Sequence, residues 1–322
     1  MASERVYRRA TLDDKEDVLG MSDNIYDGRD YLPELYDDVI YDNDMRGYVC
    51  EEKGKVLGFF FVHIVDNSET IVRRAGRVKS SHQGQGIFRN LMEYMMSDCA
   101  SLPKVRYTSI AIDGIPTKQV SKFLKRENYR HAHAHNFHLY KFNIGEIPTI
   151  SLENNALLIQ EITSNILTDI LKNQTSRDYL FPDDVVRIHS VPFKPIEANI
   201  KSFVNKRTYI IGSFNKYKGE EEVDINDLDL CNIRLMTLAS FYTCKDGLAY
   251  QLDIFGNRTE DLGDHLYYHM QKIKTMANSH VTSGVMTPSD MEFGDVEKHF
   301  KPYGISRKQL SFWETHIFTK TL

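Results

Sequence analysis

The sequence predicts an α/β protein with interleaved strands and helices, made of a first half and a looser repeat of it. Three observations lead there. Residues 5 to 145 read as β-α-α-β-β-β-loop-α-β-α-β. Inside that order a glycine-rich connection, Gln83-Gly84-Gln85-Gly86, joins a strand to a helix. After a break at Gly145-Glu-Ile-Pro148, residues 151 to 322 alternate strand and helix patterns again.

Taken in order, Val6 to Ala10 reads as a short strand. Thr11-Leu-Asp-Asp14 is a helix start, with a threonine cap and acidic first turn, and predicts a helix to about Asn24. The loop Ile25-Tyr-Asp-Gly-Arg-Asp-Tyr-Leu-Pro33 follows, and Pro33 opens a helix over 34 to 43. Gly47 to Glu52 and Val56 to Asp66 flank the turn Lys53-Gly54-Lys55. Glu69 to Lys79 is the next strand. Ile87, Leu91, Met95 and Phe88, Met92 recur at helical spacing. Val105 to Asp113, a helix over Thr117 to Glu127, and a strand over His135 to Asn143 complete the half. The second half gives strands at 157–162, 209–214, 233–243, 249–255, 281–287 and 310–320. Its helices fall at 166–173, 197–204, 262–276 and 290–300. The acidic run 218–229 reads as a solvated loop.

Composition narrows the class. The 322 residues are enough for two ordinary domains, and 41% hydrophobic with 26% charged content is globular. A net charge of -5 offers no basic excess for nucleic acid. Cys50, Cys99, Cys231 and Cys244 are widely spaced, so neither a zinc site nor a disulfide framework is expected. Reduced cysteines, a polar N-terminus and no apolar run of ~18 residues predict a cytoplasmic protein without membrane contact. Oligomeric state is not legible.

Glycines 84 and 86 let backbone N–H groups approach a ligand without Cβ interference. At the start of a helix those groups form an anion site, suited to phosphate or pyrophosphate. The run lacks the Gly-Lys-Ser/Thr ending of a P-loop and the glycine spacing of a dinucleotide fingerprint. A glycine connection with no ligand is the bland alternative.

The pattern Gln83-x-x-Gly86-x-Phe88, after a strand ending Arg77-Val78-Lys79, resembles the coenzyme A loop of the GNAT superfamily of N-acetyltransferases. Phe88 stands where that family has a small residue. The resemblance implies a mixed central sheet flanked by helices over residues 1–145, with acetyl-CoA as co-substrate. It places pantetheine along Arg77, Val78 and Lys79, in an opening between two splayed strands. Gln83, Gly84, Gln85, Gly86, Ile87, Phe88 and Arg89 would surround the pyrophosphate. Leu124 replaces the tyrosine that many members use as general acid. Residues 151–322 read as a second, degenerate GNAT-like domain, because Gly256-Asn-Arg-Thr-Glu-Asp261 is acidic and glycine-poor. The tyrosine-rich loop 25–33, Gly84-Gln-Gly-Ile87, Leu252-Asp-Ile-Phe-Gly256 and His265-Leu-Tyr-Tyr-His-Met270 resemble histidine N-acetyltransferase and related animal enzymes. That implies acetyl transfer to the α-amine of a free amino acid, a small-molecule acceptor.

Amide formation from a thioester needs a neutral amine, donors for an oxyanion and a leaving thiolate. The Val78 N–H is the candidate oxyanion donor. Tyr129 and Tyr107 are the candidate acids, and Glu69 the candidate base beside Asp66 and His63. Arg29 and Asp30 suit the carboxylate and the amine or imidazole of an acceptor. Tyr26 and Tyr31 would wall that site, and His135 would border it. The run His131-Ala-His-Ala-His135 lacks a completing carboxylate or cysteine, so no metal is expected. A small amine, polyamine or peptide amine acceptor, and a non-catalytic acyl-CoA binder, remain open alternatives at this level.

Overall fold

A computed structural model describes residues 4–23, 25–152, 157–215, 229–277, 279–310 and 314–322. The first half runs β1 (Arg5–Arg9), α1 (Lys15–Leu19), α2 (Leu32–Tyr41), β2 (Met45–Glu52), β3 (Lys55–Val65) and β4 (Thr70–Val78). It continues with α3 (Ile87–Cys99), β5 (Tyr107–Asp113), α4 (Lys118–Arg126) and β6 (Arg130–Asn143). The second half runs β7 (Leu157–Glu161), α5 (Ser164–Lys172), α6 (Gln174–Leu180), β8 (Val186–Ile188), β9 (Val191–Phe193), α7 (Ile200–Phe203) and β10 (Thr208–Asn215). Then follow β11 (Ile233–Cys244), β12 (Gly247–Phe255), α8 (Leu262–Met276), β13 (His280–Pro288), α9 (Phe293–Phe300) and β14 (Glu314–Thr321).

Most expected elements are present, and the differences include an additional helix, α6, and those that follow. The first helix stops at Leu19, where Gly20 follows. β6 begins five residues earlier than expected, at Arg130. The β8–β9 hairpin was not legible: its turn residues His189 (φ 50°) and Ser190 (φ 61°) are left-handed without a glycine or asparagine to announce it. The acidic run 218–229 lies outside the described residues except for Asp229.

Twelve strands form one sheet in the order β1-β2-β3-β4-β5-β14-β6-β13-β12-β11-β10-β7. The order exposes an exchange. The last strand of the second half, β14, lies beside β5 of the first, and β6 lies beside β13 of the second. β14 and β6 pair with each other at the centre. The connection at 145–148 therefore divides two sequence units inside one sheet. Each unit borrows its neighbour's final strand to pair an edge that would otherwise be open.

Helices cover both faces. On one, Val18, Leu32, Tyr36 and Val39 of α1 and α2 pack on Phe59 and Phe61. On the other, Leu91 and Met95 of α3 pack on Tyr48, Phe60 and Val62. β3 is buried on both, which explains its unbroken apolar run. α5 and α6 share the first face, and their core includes Val65 and Val72 of the first half. Polar contacts join the halves as well. Asp66 accepts from the Lys194 N–H and the Asn199 side chain, both at 2.8 Å. Arg207 reaches Glu34 at 3.1 Å and also Asp38.

Ile317 of β14 is 1% exposed and pairs across to Ala111 and His133. Ile317→Ala should cost about 3 kcal/mol, the usual range for a truncated core side chain. Because β14 belongs to both units, urea unfolding followed by circular dichroism should stay a single transition at lower midpoint. Two separated transitions would show that the halves fold independently.

Candidate active site

The site begins where two parallel strands part. β4 and β5 pair only through Thr70–Tyr107, Ile71–Thr108 and Val72–Ser109. Beyond Val72 a bulge turns β4 away: Ala75 adopts φ 52°, and the β3 partners skip from Phe59 to Phe61. A left-handed alanine costs roughly 1–2 kcal/mol, which the buried strands on either side must hold. The resulting wedge leaves the β4 edge unpaired on its β5 side. It opens to two faces of the sheet.

On the α3 face lies the glycine loop. Gly84 (φ 76°) and Gly86 (φ 78°) both need the left-handed region. A Cβ at Gly84 would meet nothing, so the space above the loop is open. Gly86 starts the 13-residue α3 with no side-chain cap, leaving its first N–H groups free of side-chain partners. A cavity of about 310 Å³ runs from Gly76 past Val78, His82 and Gln83 to Arg89. Phe88 fits because its ring lies on Gly76, where a Cβ would sit only 2.7 Å from it. A second cavity of about 530 Å³ lies between α3 and α4, lined by Arg73, Met92, Phe123 and Tyr129. Leu124 is buried outside that wall. The Tyr129 hydroxyl accepts from Arg73 Nη2 at 2.7 Å and lies 3.4 Å from Thr108 Oγ1.

Several side chains expected around the cofactor have other partners. The bulge sends the Arg77 side chain to the α1–α2 face, where it is buried and pairs bidentately with Asp30 at 3.1 and 3.2 Å, while Arg77 still lines the loop cavity beside Val78. That pair neutralises both residues and pins the tyrosine-rich loop to β4, so neither is a free ligand group. Lys79 lies 4.0 Å from Asp17, and Gln85 is held by Arg5. Val78 and Ile87 remain on the loop side, Ile87 as a core residue.

On the α1–α2 face the wedge opens into another cavity of about 310 Å³. Both halves build it. The first contributes Tyr26, Arg29, Tyr31, Arg73, Arg74, Asp113 and Phe137. The second contributes His189, Ser190, Tyr242, Gln251 and Thr315. Tyr26 stacks on Tyr31 at 5.9 Å, and Tyr31 meets Tyr242 edge-on at 6.1 Å. The loop reaches this position through three successive left-handed residues, Tyr26, Asp27 and Gly28. Gly28 cannot be replaced easily, since a Cβ would sit 2.7 Å from Asp246. Tyr242 then donates to the Arg29 carbonyl at 2.9 Å, fixing the loop from the second half.

Charge in this cavity is mostly positive. Arg74 lies 4.5 Å over the Tyr31 ring and donates to the His189 carbonyl at 3.2 Å. Arg29 donates to the Tyr26 carbonyl at 2.9 Å and lies 5.9 Å from the Phe137 ring. Among the described residues neither makes a salt bridge to a carboxylate. Asp113 is exposed to water at the mouth, and the protein packed around it removes part of its hydration. That desolvation raises its carboxyl above the usual range, against the opposing bond from Thr315 Oγ1 at 2.8 Å and the nearby Arg29. Desolvation, then Arg74 and Arg207, push the His189 imidazole down to about 3. At neutral pH Asp113 is thus the stronger proton acceptor of the two.

Sequence reasoning missed Arg73, Arg74 and Asp113. They sit in strands whose pattern shows only alternation, and the splay that exposes them is a tertiary feature. Glu69 and Tyr107 stand at the closed end of the wedge. Glu69 pairs with Lys194 at 2.9 Å, which holds its carboxyl below the usual range, and Lys194 also lies over the Tyr107 ring. Glu69 is nine residues, roughly 30 Å along an extended strand, from Val78. Asp66 is a buried link between halves, and burial pushes His63 down to about 3 against Phe193. His135 lines a different cavity, beyond β8. In the second half, the α8 start carries Asp261, whose carboxylate is held by Arg234 at 2.7 and 2.9 Å. A fixed negative charge stands there in place of open glycines.

Residues 14–115 match the model of the Acetyltransferase (GNAT) family, and residues 158–288 that of Histidine N-acetyltransferase, C-terminal. Histidine N-acetyltransferase of Scomber australasicus is 22% identical over 302 residues, covering 84% of this chain and 80% of that protein. The protein of the same name from Oreochromis niloticus is 23% identical over the same shares. A tandem GNAT protein from the clavulanic acid biosynthesis pathway superposes with a TM-score of 0.58 at 10% identity, covering 99% and 98% of the two chains.

The Thr315 bond favours the charged carboxylate of Asp113. Removing it should raise the Asp113 pKa further. Carbon-detected NMR titration of the carboxyl in Thr315→Val should show its midpoint moved to higher pH than in the parent chain. An unchanged midpoint would mean the bond does not control this group.

Proposed function

We propose that this chain, an N-acetyltransferase with two GNAT-like units, moves acetyl from acetyl-CoA to the α-amine of a free amino acid, with L-histidine the first acceptor to test. One observation carries the reading. Arg29 and Arg74, without carboxylate partners among the described residues, lie in an aromatic-walled cavity that opens onto the unpaired β4 edge. An acceptor carboxylate would supply the missing charge. The relatives named for histidine acetylation favour histidine within that class, and Tyr26, Tyr31, Tyr242 and Phe137 suit a planar side chain.

The loop fits acetyl-CoA. Gly84 and Gly86 leave their backbone open, the uncapped α3 N-terminus favours phosphate, and the α3–α4 cavity continues the path along β4. When bound, the thioester supplies an activated acyl carbon. The chain's residues supply the rest. Arg29 and Arg73 oppose an ammonium in the wedge and so favour the neutral amine. Asp113 takes the proton the amine loses and passes it to water. The amine nitrogen bonds the acyl carbon as the C–S bond breaks. Backbone groups of β4 past Val72 face the developing oxyanion. The Tyr129 hydroxyl, held by Arg73, would supply the proton for the departing sulfur. Leu124 has no such group.

The second half closes the acceptor side with the hairpin tip and Tyr242, which disfavours a threaded peptide. Turnover with the twenty amino acids, histamine, a polyamine and a short peptide, with products located by mass spectrometry, tests the reading. Loss of a charge-assisted pair is worth about 1.5–3 kcal/mol, or roughly one to two decades. Arg74→Ala should therefore lower kcat/KM for histidine by that factor and leave histamine nearly unchanged. An amine or peptide that outruns every amino acid, or an equal loss for histidine and histamine, would overturn the carboxylate assignment.

A further inference from the structure

The sheet has a second splay. β12 pairs with β13 only as far as Asp253–Met286. Past that point the strands part around a cavity of about 800 Å³. Arg187 of β8 and His135 of β6 line it, both 4% exposed. Among the described residues the Arg187 guanidinium has no hydrogen-bond partner at Nε. Its nearest carboxylate, Asp253, is 3.8 Å away, and the two side chains are 5% and 0% exposed. Among the described residues, Arg187 Nε, Asp253 Oδ1 and both ring nitrogens of His135 have no hydrogen-bond partner, and the first two face each other only as an ion pair at 3.8 Å. Burial pushes the Asp253 carboxyl up to about 7 despite Arg187.

A buried polar atom without a hydrogen bond keeps the cost of losing its water. Three of these atoms, on Arg187 and His135, belong to side chains that line the one cavity, and Asp253 stands behind Arg187. Aspartates 178, 183 and 290 stand at the mouth and disfavour a polyanion such as a nucleotide. A ligand here must bring a carboxylate for Arg187 and tolerate, or use, an acidic rim. We propose that this cavity is a second small-molecule site that binds a free α-amino acid as its zwitterion, carboxylate on Arg187 and ammonium toward the rim. The volume is within the range of ligand pockets, ~300–1,000 Å³. Arg187 stands two residues from His189, which lines the acceptor cavity and whose carbonyl holds Arg74. Occupancy here is thereby linked to the acceptor cavity through a hairpin of two three-residue strands.

Removing Arg187 would strand Asp253 in the core, so the mouth is the better place to intervene. Ser289 is exposed there, and Ser289→Trp fills the entrance without touching the buried pair. Thermal denaturation of the full chain carrying Arg74→Ala, which weakens the acceptor cavity, is run with each of the twenty L-amino acids. At least one should raise Tm, with the corresponding decarboxylated amine at least tenfold weaker. Ser289→Trp on that background should abolish the shift while circular dichroism stays unchanged. Stabilisation by no amino acid, an undiminished shift in Ser289→Trp, or equal effects of acid and amine would each overturn the proposal. An amino acid that is acetylated by the parent chain but never stabilises Arg74→Ala would sink this site and leave acetyl transfer standing.

Discussion

The pairing of β14 with both β5 and β6 is the constraint on which the molecule depends. It brings the C-terminal strand of the second unit into the first and β6 into the second. Asp113, Thr315 and His135 consequently lie in one row across three strands. The cavity on the α1–α2 face inherits Thr315 from that row. Without the exchange, the base candidate would lose the hydroxyl that holds it, and each unit would expose a long unpaired edge.

The same geometry separates two tasks. The glycine loop, α3 and α4 belong wholly to the first unit. The opposite face of the wedge is shared, because β8, β9 and β11 of the second unit fold over it. Among the described residues Arg73 lines both sides, and its guanidinium rests on Tyr129 and aromatic rings in place of a carboxylate. Desolvation by the packed rings around it lowers its pKa. Positive charge concentrated beside a strained β4 is a costly arrangement for stability, and such cost is commonly found where a site must bind a negative group.

Much of the fold was legible because it is local. The β4–loop–α3 unit announces itself through Gly84, Gly86 and helical spacing, and the loop 25–33 through its tyrosines. The second unit was visible as a repeated order. The rest depends on pairings that the sequence does not encode locally. Strand exchange leaves no trace in periodicity, since β14 alternates as any strand would. Arg77 and Asp30 carried the right chemistry for ligands, but the Ala75 bulge turns Arg77 across the sheet, and they satisfy each other. Arg74 and Asp113 were overlooked because a charged residue in an alternating strand ordinarily faces solvent. Only the splay after Val72 makes them line a cavity.

The central claim is that the cofactor side belongs to one unit and the acceptor side to both. Tyr242 decides it most directly, since it comes from the second unit, packs on Tyr31 and holds the Arg29 carbonyl. The measurement is acetyl-CoA affinity by isothermal titration alongside acceptor KM for Tyr242→Ala. An acetyl-CoA Kd within about twofold of the parent, with acceptor KM raised at least tenfold, is the predicted result; the loss of a packed aromatic and its hydrogen bond supports that scale. An unchanged acceptor KM, or weakened acetyl-CoA binding in its place, would contradict the account.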